Sequence, residues 1–339
     1  MRISFRIDLL RQNVKIGTAR CTAFSVNFRR NADVCRGLKA TISADSFRMS
    51  PDIVFDMFSD RIQPVLIVDG REHPLGVFMA ISTPKTLSDT GSTYDIECYD
   101  ETMILKQAAY TERTNYSAGT KYLTIINSIL TACGFSQVIA VNSEAVLPAD
   151  VEIAPGKTFL EVINYFLDGI NYQHVHADSS GRILLQPNAE KMTADHVYSD
   201  ANGTIIPPIS QTTDIYDLPN VLVGVASGPD RTPLSYVKEN TDPNSQISIP
   251  KRGYKVVKIY NVNNVADQAT LEAYINQKYL DASQITEKVN VETALEGGHE
   301  YGDTVQLRTW LISGLFNEIE WSIDSKGKMK HTLERKVFV

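Results

Sequence analysis

His299-Glu300 begins as the HExxH helix of a zinc protease begins, where two imidazoles four residues apart share one helix face with a catalytic glutamate beside them. Here position 303 is Asp303, and Gly302 breaks the helix that this geometry requires, so no zincin site is expected. His174 and His176 alternate along one predicted strand, and Asp178 continues the alternation, which places three potential ligands on one side. No further ligand stands close by in sequence, so an exposed or interface face of a hairpin is the expected role. Asp95/Glu97 and Glu318/Glu320 are carboxylate pairs on single strands. Glycosidases set two carboxylates ~5–9 Å apart across a cleft, usually from different strands, so both pairs are expected on the wet face of a sheet. Cys21, Cys35, Cys98 and Cys133 are widely spread without a CxxC pair and read as small buried thiols of a reducing compartment. The chain has no GxSxG elbow, P-loop or dinucleotide glycine fingerprint. No catalytic, cofactor-binding or metal-binding residue is therefore assigned, and an enzyme is not expected.

The elements that would position such residues belong to a chain of 339 residues, long enough for two or three domains. Its 43% hydrophobic and 22% charged residues are ordinary for a globular protein. A formal charge of −7 argues against a general duplex-binding surface, and no specific nucleic acid is expected. No run approaches the roughly 18 apolar residues of a membrane span. The N-terminus, Met1 to Asp8, alternates charged and apolar groups without a signal-peptide core, so assembly in a cytoplasm is expected. Residues 1–39 hold nine basic groups against Asp8 and Asp33, whereas residues 40–110 hold eleven acidic groups against five basic ones. Such opposite-signed stretches either set register with a neighbour or simply solvate strand faces.

Along residues 1–108, strands are predicted at Arg2–Leu10, Ala19–Phe28, Gly37–Ser43, Pro64–Val68, Gly76–Ser82 and Tyr94–Tyr99. Asp69-Gly70 and Asp89-Thr90-Gly91 supply turns, and Pro51–Phe58 reads as a short helical stretch. Many short strands with frequent turns suggest a small antiparallel barrel. In residues 109–188, Tyr122, Ile125, Ile126, Ile129, Leu130 and Cys133 form one helical stripe, capped by Gly134. Phe159, Val162, Ile163, Phe166, Leu167 and Ile170 form a second, with Thr158 and Glu161 at capping-box spacing. Tyr172–His176 and Arg182–Gln186 read as a hairpin across Asp178–Gly181. Residues 189–339 return to strands around one inserted helix at about 265–281, with Leu271, Tyr274, Ile275 and Tyr279 on a face. Ile206-Pro207-Pro208, Gly228–Pro233 and Thr241–Asn244 read as exposed connections, and the chain closes on a hairpin turning at Ser325-Lys326-Gly327.

The string from Tyr110 to Pro187 joins Tyr122-Leu123-Thr124-Ile125-Ile126, Cys133-Gly134, Leu147-Pro148 and Pro155-Gly156-Lys157-Thr158-Phe159-Leu160-Glu161. It closes with Asn171-Tyr172, Asp178, Gly181 and Leu184-Leu185-Gln186-Pro187. This order resembles the inserted α/β domain of phage tail baseplate hub proteins, the late-control-D or tail-hub family of contractile phages and phage-tail-like particles. The resemblance implies an α+β, mainly β fold: two small antiparallel β-barrels with an inserted helix-containing α/β domain. A faint echo, Gly76-Val77-Phe78 and Gly314-Leu315-Phe316, fits two related barrels.

The resemblance further implies a homotrimeric ring adaptor joining a hexameric tail tube to a trimeric central spike. Its partners would be tail tube protein, central spike protein, other baseplate proteins and the tape-measure protein, in a virion baseplate or tailocin. The chain reaches Val339 soon after the last strand, so spike and hydrolase are expected as separate products. Two rivals are a carbohydrate-binding tail-tip module, with Tyr254, Tyr260 and Tyr301 as its aromatic candidates, and a tail-associated hydrolase.

Overall fold

The computed structural model describes residues 2–89, 91–189, 191–213, 218–228, 231–262, 268–282 and 284–338. About half of the chain is strand, 48% against 16% helix, so the mainly β expectation holds. The first strands are Ile3–Arg11 (β1), Val14–Ala19 (β2), Cys21–Arg29 (β3), Arg36–Ser43 (β4), Arg61–Val68 (β5), Arg71–Pro74 (β6), Phe78–Ser82 (β7), Lys85–Ser88 (β8) and Gly91–Asp100 (β9). The middle block holds Thr114–Tyr116 (β10), Val138–Ala140 (β11), Val151–Ile153 (β12), His176–Ala177 (β13) and Ile183–Leu185 (β14). Then come His196–Ser199 (β15), Ile205–Thr213 (β16), Val221–Gly228 (β17), Arg231–Glu239 (β18) and Val257–Asn261 (β19). Gln284–Ala294 (β20), Thr304–Arg308 (β21), Ser313–Asp324 (β22) and Lys328–Phe338 (β23) complete them.

The long sheet follows the order β16-β20-β23-β22-β3-β4-β9-β7-β5-β1-β2, with β15 and β21 joined through β22. Among the described residues this path is one continuous open ladder, with β16 and β2 at its ends. The reason is the pairing of β22 with β3, Trp321 opposite Phe28, which joins the last hairpin to the first strands. The edge that a strand joins is not visible in a sequence.

Two compact units emerge: Met1–Pro208 with Val291–Thr332, and Ile209–Asn290 with Leu333–Val339. In the first, alternate residues point inward as the pleat demands: Phe24, Val26 and Phe28 of β3 meet Leu38, Ala40 and Ile42 of β4. The turn between β1 and β2 uses Gln12 and Asn13, both with positive φ, the primed geometry that matches strand twist. The sequence showed the Asp69-Gly70 turn but not this hairpin. Pro51–Phe58 is not helical; the helical turn lies earlier, at Ala44–Phe47.

The middle block follows its expected pattern closely. Met103–Gln107 (α1) leads to Tyr122–Ala132 (α2), which buries Leu123, Ile125, Ile126, Ile129 and Leu130. Gly134 takes a left-handed φ of 85° while the Phe135 N–H returns to the Leu130 carbonyl at 3.0 Å, closing the helix end. Phe159–Gly169 (α3) starts at a complete Thr158/Glu161 capping box and buries Val162, Ile163, Phe166 and Leu167. Both helices pack with the β11-β14-β13 sheet in one core.

The second unit contains the β18-β17-β19 sheet. Ile249–Arg252 (α4) is short, and Gln268–Ala282 (α5) is the expected inserted helix, burying Leu271 and Ile275 against Leu222 and Ala226. Gly224 permits the close approach, since a Cβ there would lie 2.5 Å from Ile275. Two expected connections are instead strand: Pro207-Pro208 lies inside β16, and β18 starts at Arg231, with Pro229 and Asp230 outside the described residues. Thr241–Asn244 is an exposed turn, as expected.

Candidate functional site

The loop between β20 and β21, Glu296-Gly297-Gly298-His299-Glu300-Tyr301-Gly302-Asp303, gathers contacts from three stretches of the first unit. It is irregular because Gly298 and Gly302 both take positive φ, so the zincin helix is absent as expected. Glu300 forms an ion pair with Arg36 of β4, whose side chain is fully enclosed. The other face of the Glu300 carboxylate accepts the Ser179 N–H at 2.9 Å, in the turn after β13. Arg36 also donates to the Leu75 carbonyl at 3.2 Å and lies 5.5 Å from the rings of Phe28 and Trp321. One carboxylate thus ties the early strands to the α/β block.

Tyr301 works beside it. Its ring stacks on His176 at 3.9 Å and meets Phe28 edge-on at 6.0 Å, with Arg30 at 5.4 Å. Asp303 accepts the Glu300 N–H at 2.7 Å and Lys191 Nζ at 3.1 Å, and faces His196 Nε2 at 3.3 Å. Burial works against charge on His196, but Asp303 and Glu296 outweigh it and lift its pKa to about 9.

Behind the loop lies a buried polar cluster. Glu318 of β22 faces His299 Nδ1 at 2.7 Å through Oε2 and His331 Nδ1 of β23 at 2.6 Å through Oε1. His299 Nε2 meets the Tyr198 hydroxyl at 2.9 Å, and His331 Nε2 meets Thr293 Oγ1 at 2.8 Å. Burial alone would raise the Glu318 carboxyl, yet the two imidazoles hold it at about 2.

The residues read from the sequence are distributed differently from expectation. His174 is exposed and pairs with Asp168 at 3.1 Å, whereas His176 is buried against Tyr301. Asp178 is buried and clamps its own turn through Ser180 N and Arg182 N at 2.9 Å each. The expected three-residue face does not form, because regular pairing covers only His176 and Ala177. The hairpin is therefore an internal contact of this unit, not an open face. Asp95 and Glu97 lie on the wet face, as expected, bonded to Thr41 at 2.7 Å and 3.5 Å from Lys39.

Glu318 and Glu320 correct the expectation: Glu320 is exposed, but Glu318 is fully buried. Inward residues of β22 run Phe316, Glu318, Trp321, Ile323, with one odd step that strict alternation cannot show. All four cysteines are free; Cys35 and Cys98 are buried, their thiols pushed up to about 12 by desolvation. Tyr301 is engaged inside the first unit, while Tyr254 is exposed and Tyr260 packs edge-on to Tyr274 at 6.3 Å in the second. The basic and acidic stretches of residues 1–110 pair with each other: Arg6 with Glu72 across β5, Arg11 with Asp60, and Lys39 with its cross-strand partner Glu97. The reciprocal charges therefore sit within one sheet.

No family model and no curated protein matches the sequence. Solved structures do match over nearly the full length. A tail protein from Neisseria meningitidis superposes with a TM-score of 0.67 at 11% identity, covering 98% of this chain and 97% of that one. The 43 kDa tail protein of prophage MuSo2 from Shewanella oneidensis gives 0.63 at 11% identity, covering 98% of each chain. A component of the type VI secretion system from E. coli gives 0.51 at 8% identity, covering 96% of this chain and 76% of that one. At such identities it is the fold that is shared, and that fold is the one found in phage tail proteins and their secretion-system counterpart.

Proposed function

We propose that this chain is a structural baseplate hub: a homotrimeric ring adaptor joining a hexameric tail tube to a trimeric central spike. The observation that carries the reading is the end-to-end likeness, at 98% coverage of this chain, to two phage-type tail proteins. The Glu300 junction supports it physically. An adaptor that transmits load needs its parts fixed against one another, and a buried ion pair with an enclosed Arg36 resists shear better than a solvated contact. The chain acts mechanically in this reading, with tube, spike, other baseplate and tape-measure proteins as partners and the tail baseplate as its place.

The two-barrel description and the division at 1–108, 109–188 and 189–339 belong to the same reading. The Gly-x-Phe echo favours it: Gly76 and Gly314 have φ of 137° and 153°, and Phe78 and Phe316 are both buried. The test is solution mass by light scattering with negative-stain images, alone and with the neighbouring tail proteins. A threefold ring of about three times the 37.7 kDa chain supports the hub. A monomer in every mixture, with neither tube nor spike attached, refutes it.

A further inference from the structure

The hydrogen positions around Glu318 pose a problem of pairing. Thr293 has one hydroxyl proton, and the Ala294 carbonyl lies 3.0 Å from its oxygen. With that proton engaged, His331 Nε2 must carry the hydrogen shared with Thr293. His299 Nε2 can donate in the same way to the Tyr198 oxygen at 2.9 Å. In the neutral tautomers both Nδ1 atoms are then bare lone pairs, and each faces a carboxylate oxygen at 2.6–2.7 Å. Lone pair against lone pair at that distance is repulsive, and every member is buried. With the hydroxyl hydrogens so placed, a positive charge between them would remove the repulsion.

We propose that His299, Glu318 and His331 form a buried metal site for a zinc-type divalent cation. Two imidazole nitrogens and both oxygens of one carboxylate supply the N and O donors that such ions take. The outer nitrogens already have what metal-bound histidines require, an acceptor each, in Tyr198 and Thr293. The three ligand atoms lie within 4.8 Å of one another. The neighbouring set of His196, Glu296 and His299 fails the same examination. Its two imidazoles stack at 3.6 Å with planes 7° apart, so their in-plane lone pairs run parallel and cannot converge on one ion. The site joins the loop to β22 and β23, and a cation there would cross-link the three segments. This inference does not depend on the tail reading.

Because the cluster is enclosed, loading must accompany folding. The untagged protein is unfolded in denaturant, refolded with Zn2+ or Co2+, desalted and analysed for metal per chain, with cobalt also read by its visible ligand-field bands. One retained equivalent and intense bands of four-coordinate cobalt are expected in the wild type. Both should vanish in Glu318→Gln and His331→Gln but persist in His174→Gln, which alters an exposed histidine. If folded wild-type protein retains no stoichiometric metal, Nδ1–H hydrogens fill these contacts and the proposal is wrong. Metal that survives in folded Glu318→Gln overturns it equally. Should both variants fail to fold, the wild-type metal content and cobalt spectrum still decide.

Discussion

Replacing Glu300 by alanine strips the Arg36 guanidinium of its ion pair while leaving it enclosed. Removing one side of a buried ion pair costs about 3–5 kcal/mol, because the remaining charge stays desolvated. Glu300 keeps 31% of its side chain exposed against 0% for Arg36, so screening places the loss near the lower end, about 3 kcal/mol. The Ser179 N–H also loses its acceptor, adding about 1 kcal/mol. The sum, about 4 kcal/mol, is a large share of a typical domain's stability. Urea denaturation would measure it, followed by the fluorescence of Trp321, whose ring lies 5.5 Å from the Arg36 guanidinium. A Trp310→Phe background removes the other, exposed indole. Combining Glu300→Ala with Arg36→Met should recover part of the loss, since no stranded charge remains. A cost below about 1 kcal/mol, or full additivity of the two substitutions, would refute the idea that Glu300 neutralises a buried charge.

Three further outcomes follow from the same structure. Burial lowers His176 from 6.5 to about 4, so the unfolded chain takes up its proton first. Stability is then complete above about pH 6.5 and falls by about 3 kcal/mol as the pH drops to about 4; His176→Gln should flatten that part of a denaturation–pH profile. Thr158→Ala removes the side-chain acceptor of the Glu161 N–H at the start of α3 and should cost about 1 kcal/mol in urea denaturation. Phe166→Ala empties the centre of the α/β block, where the ring meets Tyr116 at 5.5 Å and Tyr122 at 6.0 Å, and should cost about 3–5 kcal/mol in calorimetry or urea.

Local order was written plainly in the chain. The stripes of α2 and α3, the Gly134 cap and the Thr158/Glu161 box depend on residues within a few positions of each other. Propensity and periodicity therefore specified them before any distant contact formed. The same holds for the Asp69-Gly70 turn and the final turn at Gly327, where residue type sets the backbone angle.

Tertiary structure decided what alternation could not. Glu318 read as one of two wet-face carboxylates because the pleat has period two, and one odd step in β22 carries it inward between His299 and His331. Those histidines stand 13 and 19 positions away, and Tyr198 lies 101 positions from its partner His299. Glu300 finds Arg36 across 264 positions. No local pattern encodes such meetings. They arise because β22 pairs with β3 and so brings the end of the chain against its beginning, and the buried charges of the loop are stable only where that pairing supplies their partners.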